Sequence, residues 1–127
     1  TYRRYGRIRT HVFDELLADF AGLVGADGRY RAHLALRFLG LDRLPEIRPD
    51  GRLLNYVREK LPAEAWPAVA ALAARAAGSL EAVAEAHRDR LTTSAGMHDV
   101  LLALCPLALD ELASEAAPGF VASRLRL

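Results

Sequence analysis

The sequence contains a single cysteine, Cys105, which excludes an internal disulfide framework and a zinc site built on several thiolates. No apolar run approaches the roughly 20 residues that a membrane-spanning helix requires. The first residues also lack the apolar core of a secretory signal. We therefore expect a chain that works in a reducing cytoplasm, with no membrane partner.

An excess of charge of either sign is missing as well. The 17 basic and 16 acidic residues leave a net charge of +1, so no global field draws the chain to nucleic acid or to an anionic membrane. The basic residues are all arginine except Lys60, and alanine is abundant, which indicates the codon usage of a GC-rich bacterial genome. The chain begins with Thr1 rather than Met, which is compatible with a piece of a longer protein.

Strand patterns are absent from the sequence, because no stretch of useful length alternates apolar and polar residues with a β-branched bias. Apolar residues recur instead at helical spacing along most of the chain. The pattern predicts an all-α protein, a compact bundle of five or six helices in which residues 1–127 form a single domain.

The first clear helical stretch is RTHVFDELLADFAGLVG, whose large apolar residues all fall on one half of a helix. Gly25 stands where a C-terminal cap is expected, and Asp27 is placed to cap a second helix over GRYRAHLALRFL. A proline-containing connection and a short helix over RLLNYVREKL follow.

The C-terminal half is predicted to form a long antiparallel helical hairpin. Its first arm is the alanine-rich stretch AEAWPAVAALAARAAGSLEAVAEAHRDRLTT, with either a soft spot or a break at Gly78–Ser79. TTSAG forms the turn, and MHDVLLALCPLALDELASEAA forms the second arm, which Pro106 is expected to kink. FVASRLRL remains as a tail. The alanines allow close helix packing, either within the domain or across a dimer interface.

Catalytic signatures are missing. The sequence has no glycine-rich phosphate loop, no G-x-S-x-G, no H-E-x-x-H and no paired carboxylates on an inward helix face. The four histidines do not form a complete ligand set, since His11 is predicted to face solvent and His33 shares a face with Arg29 and Arg37. The sequence therefore favours a chain that is not an enzyme and that has no metal and no cofactor.

A few residues are candidates for lining a ligand pocket between helices. His87 lies in an apolar stripe and His98 borders one, while Trp66 and Tyr56 supply aromatic surface. A lone histidine in such a stripe is more often a hydrogen-bonded core residue, and both interpretations of His87 stay open. Cys105 is predicted to be a buried, inert thiol.

The opening TYRRYGRIRTH resembles in composition an arm that binds single-stranded nucleic acid, since it interleaves arginines with aromatic rings. Tyr2 and Tyr5, however, continue the apolar stripe of the first helix backwards. The opening is therefore interpreted as the entry to that helix, and nucleic acid is not favoured as a partner. The arginines remain candidates for binding a protein partner, and the set comprises Arg3, Arg4, Arg7, Arg29 and Arg37.

Three functions follow from these patterns. The favoured one is a non-enzymatic helical interaction or dimerisation module of a bacterial regulatory protein, with another protein or a second copy of the chain as its partner. The alternative is a ligand-sensing domain that binds a small molecule between its helices. An accessory domain that binds nucleic acid is the least favoured, because the charge is balanced and no recognition motif is present.

Overall fold

The computed structural model describes the backbone of residues 2–41 and 65–126, and the side chains of residues 11–41 and 65–126. These residues form helices and turns and contain no strand, which confirms the all-α prediction. The helices are α1 (Tyr2–Asp27), α2 (Ala32–Leu39), α3 (Trp66–Ala86), α4 (Ser94–Leu104), α5 (Leu109–Leu112) and α6 (Ala117–Leu125), with a 3₁₀ turn at Arg90–Thr92 before α4. The predicted helix over RLLNYVREKL, with Tyr56, lies outside the described residues.

Helix α3 is the centre of the packing. It contacts α1, α2, α5 and α6. Half of its alanines are buried, and their small side chains let the neighbouring helices approach closely. The buried alanines of α3 are Ala70, Ala73, Ala76, Ala77 and Ala84. The alanine run thus serves the core of the domain itself. Helix α3 also continues without interruption through Gly78 and Ser79.

Helix α1 begins at Tyr2, so the basic opening of the sequence is helical, as expected, and the helix passes through Gly6. Further along, the predicted apolar face is buried against the rest of the domain. It comprises Val12, Phe13, Leu16, Phe20 and Val24. His11 is exposed on the other side, as the helical periodicity predicts.

Tyr30, between α1 and α2, is the largest fully buried side chain among the described residues. Its ring packs against Phe20 with the two ring centroids 5.3 Å apart. The hydroxyl oxygen has no hydrogen-bond partner in the described part of the chain. Burial raises the pKa of the Tyr30 hydroxyl, and the negative charges of Asp19 and Glu81 raise it further.

The junction between α1 and α2 differs from its prediction. Helix α1 continues past Gly25 to Asp27, and the chain turns at Gly28, whose φ of 74° is accessible to glycine at little cost. Asp27 does not cap α2; it forms an ion pair with Arg31 at 3.0 Å. The backbone N–H of Ala32 at the start of α2 donates instead to Glu81 Oε1 on α3, at 3.1 Å. A carboxylate from another helix therefore accepts a hydrogen bond from a backbone N–H that has no partner within α2.

Helix α4 starts at a tight crossing with the preceding 3₁₀ turn. Thr93 is its N-cap, and the Thr93 hydroxyl oxygen accepts a hydrogen bond from the Gly96 N–H at 3.0 Å. Gly96 is buried, and a Cβ atom there would overlap the carbonyl group of Arg90. Only glycine allows the two backbone segments to approach this closely.

Pro106 ends a helix, contrary to the prediction that it kinks one. Helix α4 stops at Leu104, and after a short turn the separate helix α5 begins at Leu109. Proline has no N–H for the helical hydrogen bond, and the chain leaves the helix at this point. Cys105 is the C-cap of α4 and is exposed, so the prediction of a buried thiol is wrong.

The long antiparallel hairpin is not confirmed. The main contacts of α4 are with the 3₁₀ turn and with α6, whereas α3 packs mainly against α1, α2, α5 and α6. The predicted tail is also helical, since α6 runs through most of it. Among the described residues, no helix combines the length and the apolar character needed to cross a bilayer.

Candidate functional site

An open groove lies between the C-terminal end of α1 and the start of α4. We call it the His98 groove; its volume is about 630 Å³. Leu91, Met97 and Leu101 provide apolar surface, and His98 stands at its edge as an exposed side chain. The remaining lining residues are Ala21, Val24, Gly25, Gly28, Thr92, Thr93 and Ser94.

The hydroxyl groups of the threonines in this groove already take part in local hydrogen bonds. Thr92 Oγ1 donates to the carbonyl oxygen of Asp89 at 2.7 Å, and Thr93 caps α4. Neither contact joins a hydroxyl to a histidine, as activation of a nucleophile would require. The His98 groove therefore presents an imidazole beside apolar surface.

His87 and Trp66 do not join His98. His87 is the half-buried C-cap of α3, and its backbone N–H donates to the Val83 carbonyl oxygen at 3.1 Å. Burial lowers the pKa of the His87 imidazole, and the positive charge of Arg90 lowers it further. Trp66 is half-buried at the start of α3 and packs against the core. Neither residue lines the His98 groove.

Metal-binding geometry is not found among the residues that the structure describes. No three histidine, cysteine, aspartate or glutamate side chains of that part come together in a way that could hold a metal ion. His33, like His11 and His98, is exposed. The four histidines are thus spread over the fold rather than gathered at one place.

A second surface lies where α4 packs against α6. Leu102 on α4 is 53% exposed and Phe120 on α6 is 37% exposed, although both are large apolar side chains. The guanidinium carbon of Arg124 lies 5.8 Å from the centroid of the Phe120 ring, within the range of a cation–π contact. We call this surface, formed by Leu102, Phe120 and Arg124, the α4–α6 face.

The α4–α6 face is absent from the sequence prediction because the helices were placed differently. The sequence prediction places Phe120 and Arg124 in a C-terminal tail rather than on a helix that packs against Leu102. The sequence does carry one signal for Leu102. The buried residues of α4 include Val100, Ala103 and Leu104, and Leu102 lies outside that stripe.

The arginines predicted to bind a partner occupy separate places. Arg29, just before α2, is exposed and pairs with Glu85 of α3 at 3.2 Å. Arg37 lies exposed in the last turn of α2. Arg3, Arg4 and Arg7 belong to the first turns of α1, and their side chains lie outside the description. A shared basic patch stays a prediction.

Comparison with known proteins gives the chain a family. No curated protein and no solved structure matches it. Residues 1–116, out of 127, match the model of a family described as a family of unknown function, DUF7005. Because the match spans most of the sequence, this chain belongs to the DUF7005 family.

Proposed function

We propose that the chain is a non-enzymatic interaction module that binds another protein chain through the α4–α6 face. The observation that carries the proposal is the exposure of Leu102 and Phe120 on two helices that pack against each other. Apolar side chains grouped on a surface lose water-exposed area when a partner covers them, which favours association. An arginine beside an aromatic ring is also typical of residues that contribute most to binding.

The composition supports a finer form of the same proposal. A single cysteine favours a reducing cytoplasm, and an arginine- and alanine-rich sequence favours a bacterium with a GC-rich genome. We further propose that the module belongs to a regulatory protein. The absence of catalytic sequence motifs favours binding over catalysis.

Site-specific photocross-linking tests the proposal. A photoreactive amino acid replaces Leu102 in the full chain in its native cells, and in a control chain it replaces Ala82, an exposed residue of α3. We expect a cross-linked protein at position 102 that is absent at position 82. That protein is then identified by mass spectrometry, purified and mixed with the wild-type chain. If the purified protein binds the wild-type chain but does not bind the Leu102→Glu variant, the proposal is supported.

Equal cross-linking at both positions contradicts it. The proposal is also contradicted if the purified protein binds the Leu102→Glu variant as tightly as it binds the wild-type chain.

A small-molecule ligand in the His98 groove is the second candidate function, because His98 was a predicted ligand residue and lies at the edge of a groove of suitable size. A ligand that binds only the folded chain raises its melting temperature. We expect a metabolite collection to contain such a compound, with the shift lost in His98→Ala and kept in His33→Ala. A shift that both variants retain would place the ligand elsewhere.

A further inference from the structure

The two ends of α6 border hollows of different charge. At its C-terminal end is a hollow of about 290 Å³ that carries two guanidinium groups, from Arg90 and Arg124, and one carboxylate, from Asp99. Leu102, Ala103 and Leu125 complete its lining. We call this the basic hollow.

At the N-terminal end of α6 is a hollow of about 360 Å³, which we call the acidic hollow. Asp110 and Glu111 supply two carboxylates, and no basic side chain is among the described residues that line the hollow. The other lining residues are Leu107, Ser114, Ala116, Ala117 and Phe120. Phe120 belongs to this lining and also contacts Arg124 of the basic hollow, so its exposed ring lies between the two.

The cations of the basic hollow form no ion pair with a carboxylate in the part of the chain that the structure describes. Arg90 Nη2 donates to the carbonyl oxygen of Leu125 at 3.2 Å. The Arg124 guanidinium lies against the Phe120 ring. Both side chains are exposed, and both keep donors that a carboxylate of another chain can accept.

A surface with opposite charges on the two sides of an apolar centre is complementary to itself. In a dimer with a two-fold axis the same patch is used twice, and residue i of one copy meets residue j of the other while j meets i. If the axis passes close to Phe120, the two α6 helices run antiparallel. The basic hollow of each copy then faces the acidic hollow of the other, while Leu102 and Phe120 become covered.

We infer that the partner of the α4–α6 face is a second copy of this chain, held by Arg124 of one copy against Asp110 and Glu111 of the other. The inference rests on the proposed function, since it names the partner of the same surface. A partner of uniform charge would be attracted by one hollow and repelled by the other.

The experiment measures the molecular mass of the full chain by sedimentation equilibrium over a micromolar to millimolar concentration series. All variants carry Cys105→Ser, because the exposed thiol can form an intermolecular disulfide that mimics a dimer. We expect a reversible monomer–dimer equilibrium. Phe120→Ala should weaken it by at least about fivefold, as truncation of a central aromatic residue does at interfaces.

Charge exchange tests the arrangement itself. Arg124→Glu and Asp110→Arg should each weaken self-association, by about tenfold or more for Arg124→Glu, because the two-fold axis doubles every lost attraction and every new repulsion. An equimolar mixture of the two variants should associate as the wild type does, since the carboxylate introduced at position 124 of one copy then meets the guanidinium introduced at position 110 of the other. Arg75→Glu changes an exposed charge of α3 and should leave the equilibrium unchanged. Thermal melting checks that each variant is folded.

The outcomes separate this inference from the proposed function. A chain that stays monomeric at all concentrations overturns the inference, and the proposed function survives if cross-linking at position 102 identifies a different protein. A dimer that withstands both charge exchanges also overturns the inference, since it uses another surface. A monomer without a specific cross-link at position 102 rejects both.

Discussion

Replacing Tyr30 by phenylalanine should stabilise the chain, although the change deletes an atom from the core. The hydroxyl of Tyr30 is fully buried and has no hydrogen-bond partner among the described residues. A buried polar group without a partner costs about 1–3 kcal/mol, because it has lost its hydrogen bonds to water. Phenylalanine keeps the ring that packs against Phe20.

The gain is reduced by the small void that the missing oxygen leaves. A void of about 15 Å³ costs roughly 0.4 kcal/mol at 24 cal/mol per Å³. The free energy of unfolding of Tyr30→Phe should therefore rise by about 1 kcal/mol, which corresponds to a melting temperature about 4 °C higher for a domain of this size. Urea denaturation and calorimetry both measure the change.

The dependence on pH provides a second measurement of the same environment. Burial raises the pKa of Tyr30 in the folded chain. At a pH above the ordinary tyrosine pKa of about 10, the unfolded chain loses this proton while the folded chain keeps it, so stability falls as pH rises, by up to about 1.4 kcal/mol per pH unit. The advantage of Tyr30→Phe over the wild type should consequently widen above a pH of about 10.

A loss of about 1 kcal/mol or more in Tyr30→Phe at neutral pH would refute this reasoning, since it would mean that the hydroxyl has a bound water or another partner. The control is Phe20→Leu, which removes the aromatic contact but no polar atom. It should destabilise the chain by about 1 kcal/mol or more.

Three further predictions concern the helix ends. Gly96→Ala should destabilise the chain by more than about 2 kcal/mol, measured by urea denaturation, because the added methyl overlaps the Arg90 carbonyl and neither backbone can move freely; an unchanged midpoint would mean that the crossing is loose. Nuclear magnetic resonance should give His87 a pKa below 6.5. Below that pH the unfolded chain takes up this proton more readily than the folded chain does, so the free energy of unfolding should decrease as pH falls. A titration midpoint at or above 6.5 contradicts the half-buried site. Glu81→Ala should cost about 1 kcal/mol through the lost cap of α2, and Glu85→Ala, which breaks two exposed ion pairs, with Arg29 and Arg88, about half as much or less; equal losses would mean that Glu81 has no special role at this helix end.

Local periodicity was enough to predict the helical class and the buried face of α1. Val12, Leu16 and Phe20 repeat at helical spacing, and a helix needs no distant residue to place these side chains on one side. The same reasoning placed His11 in solvent.

Helix ends were predicted less well, because distant residues decide them. Asp27 has the right chemistry for a helix cap, but it is the last residue of α1, and α2 begins only at Ala32. The Ala32 N–H donates instead to Glu81, which lies 49 residues away in sequence. Pro106 has a defined local effect, the loss of one helical hydrogen bond. Whether the chain then bends or leaves the helix depends on what α5 packs against, namely α1 and α3.

The candidate sites show the same difference between what local periodicity can predict and what depends on contacts between distant residues. The position of His98 beside an apolar face of its own helix follows from local periodicity. The sequence could not show that its groove is completed by α1, or that His87 and Trp66 lie elsewhere. The exposure of Phe120 depends on where α6 begins, and the sequence prediction assigned that segment to a tail.

The break at Pro106 has a practical consequence for measuring distances in solution. It leaves Cys105, the one cysteine of the sequence, exposed three residues after Leu102. A nitroxide spin label or a fluorophore can therefore be attached at a single defined position of the wild-type chain without any substitution. In a two-fold dimer two such labels are separated by one distance, so pulsed electron resonance would give one narrow distribution, whereas a monomer would give none.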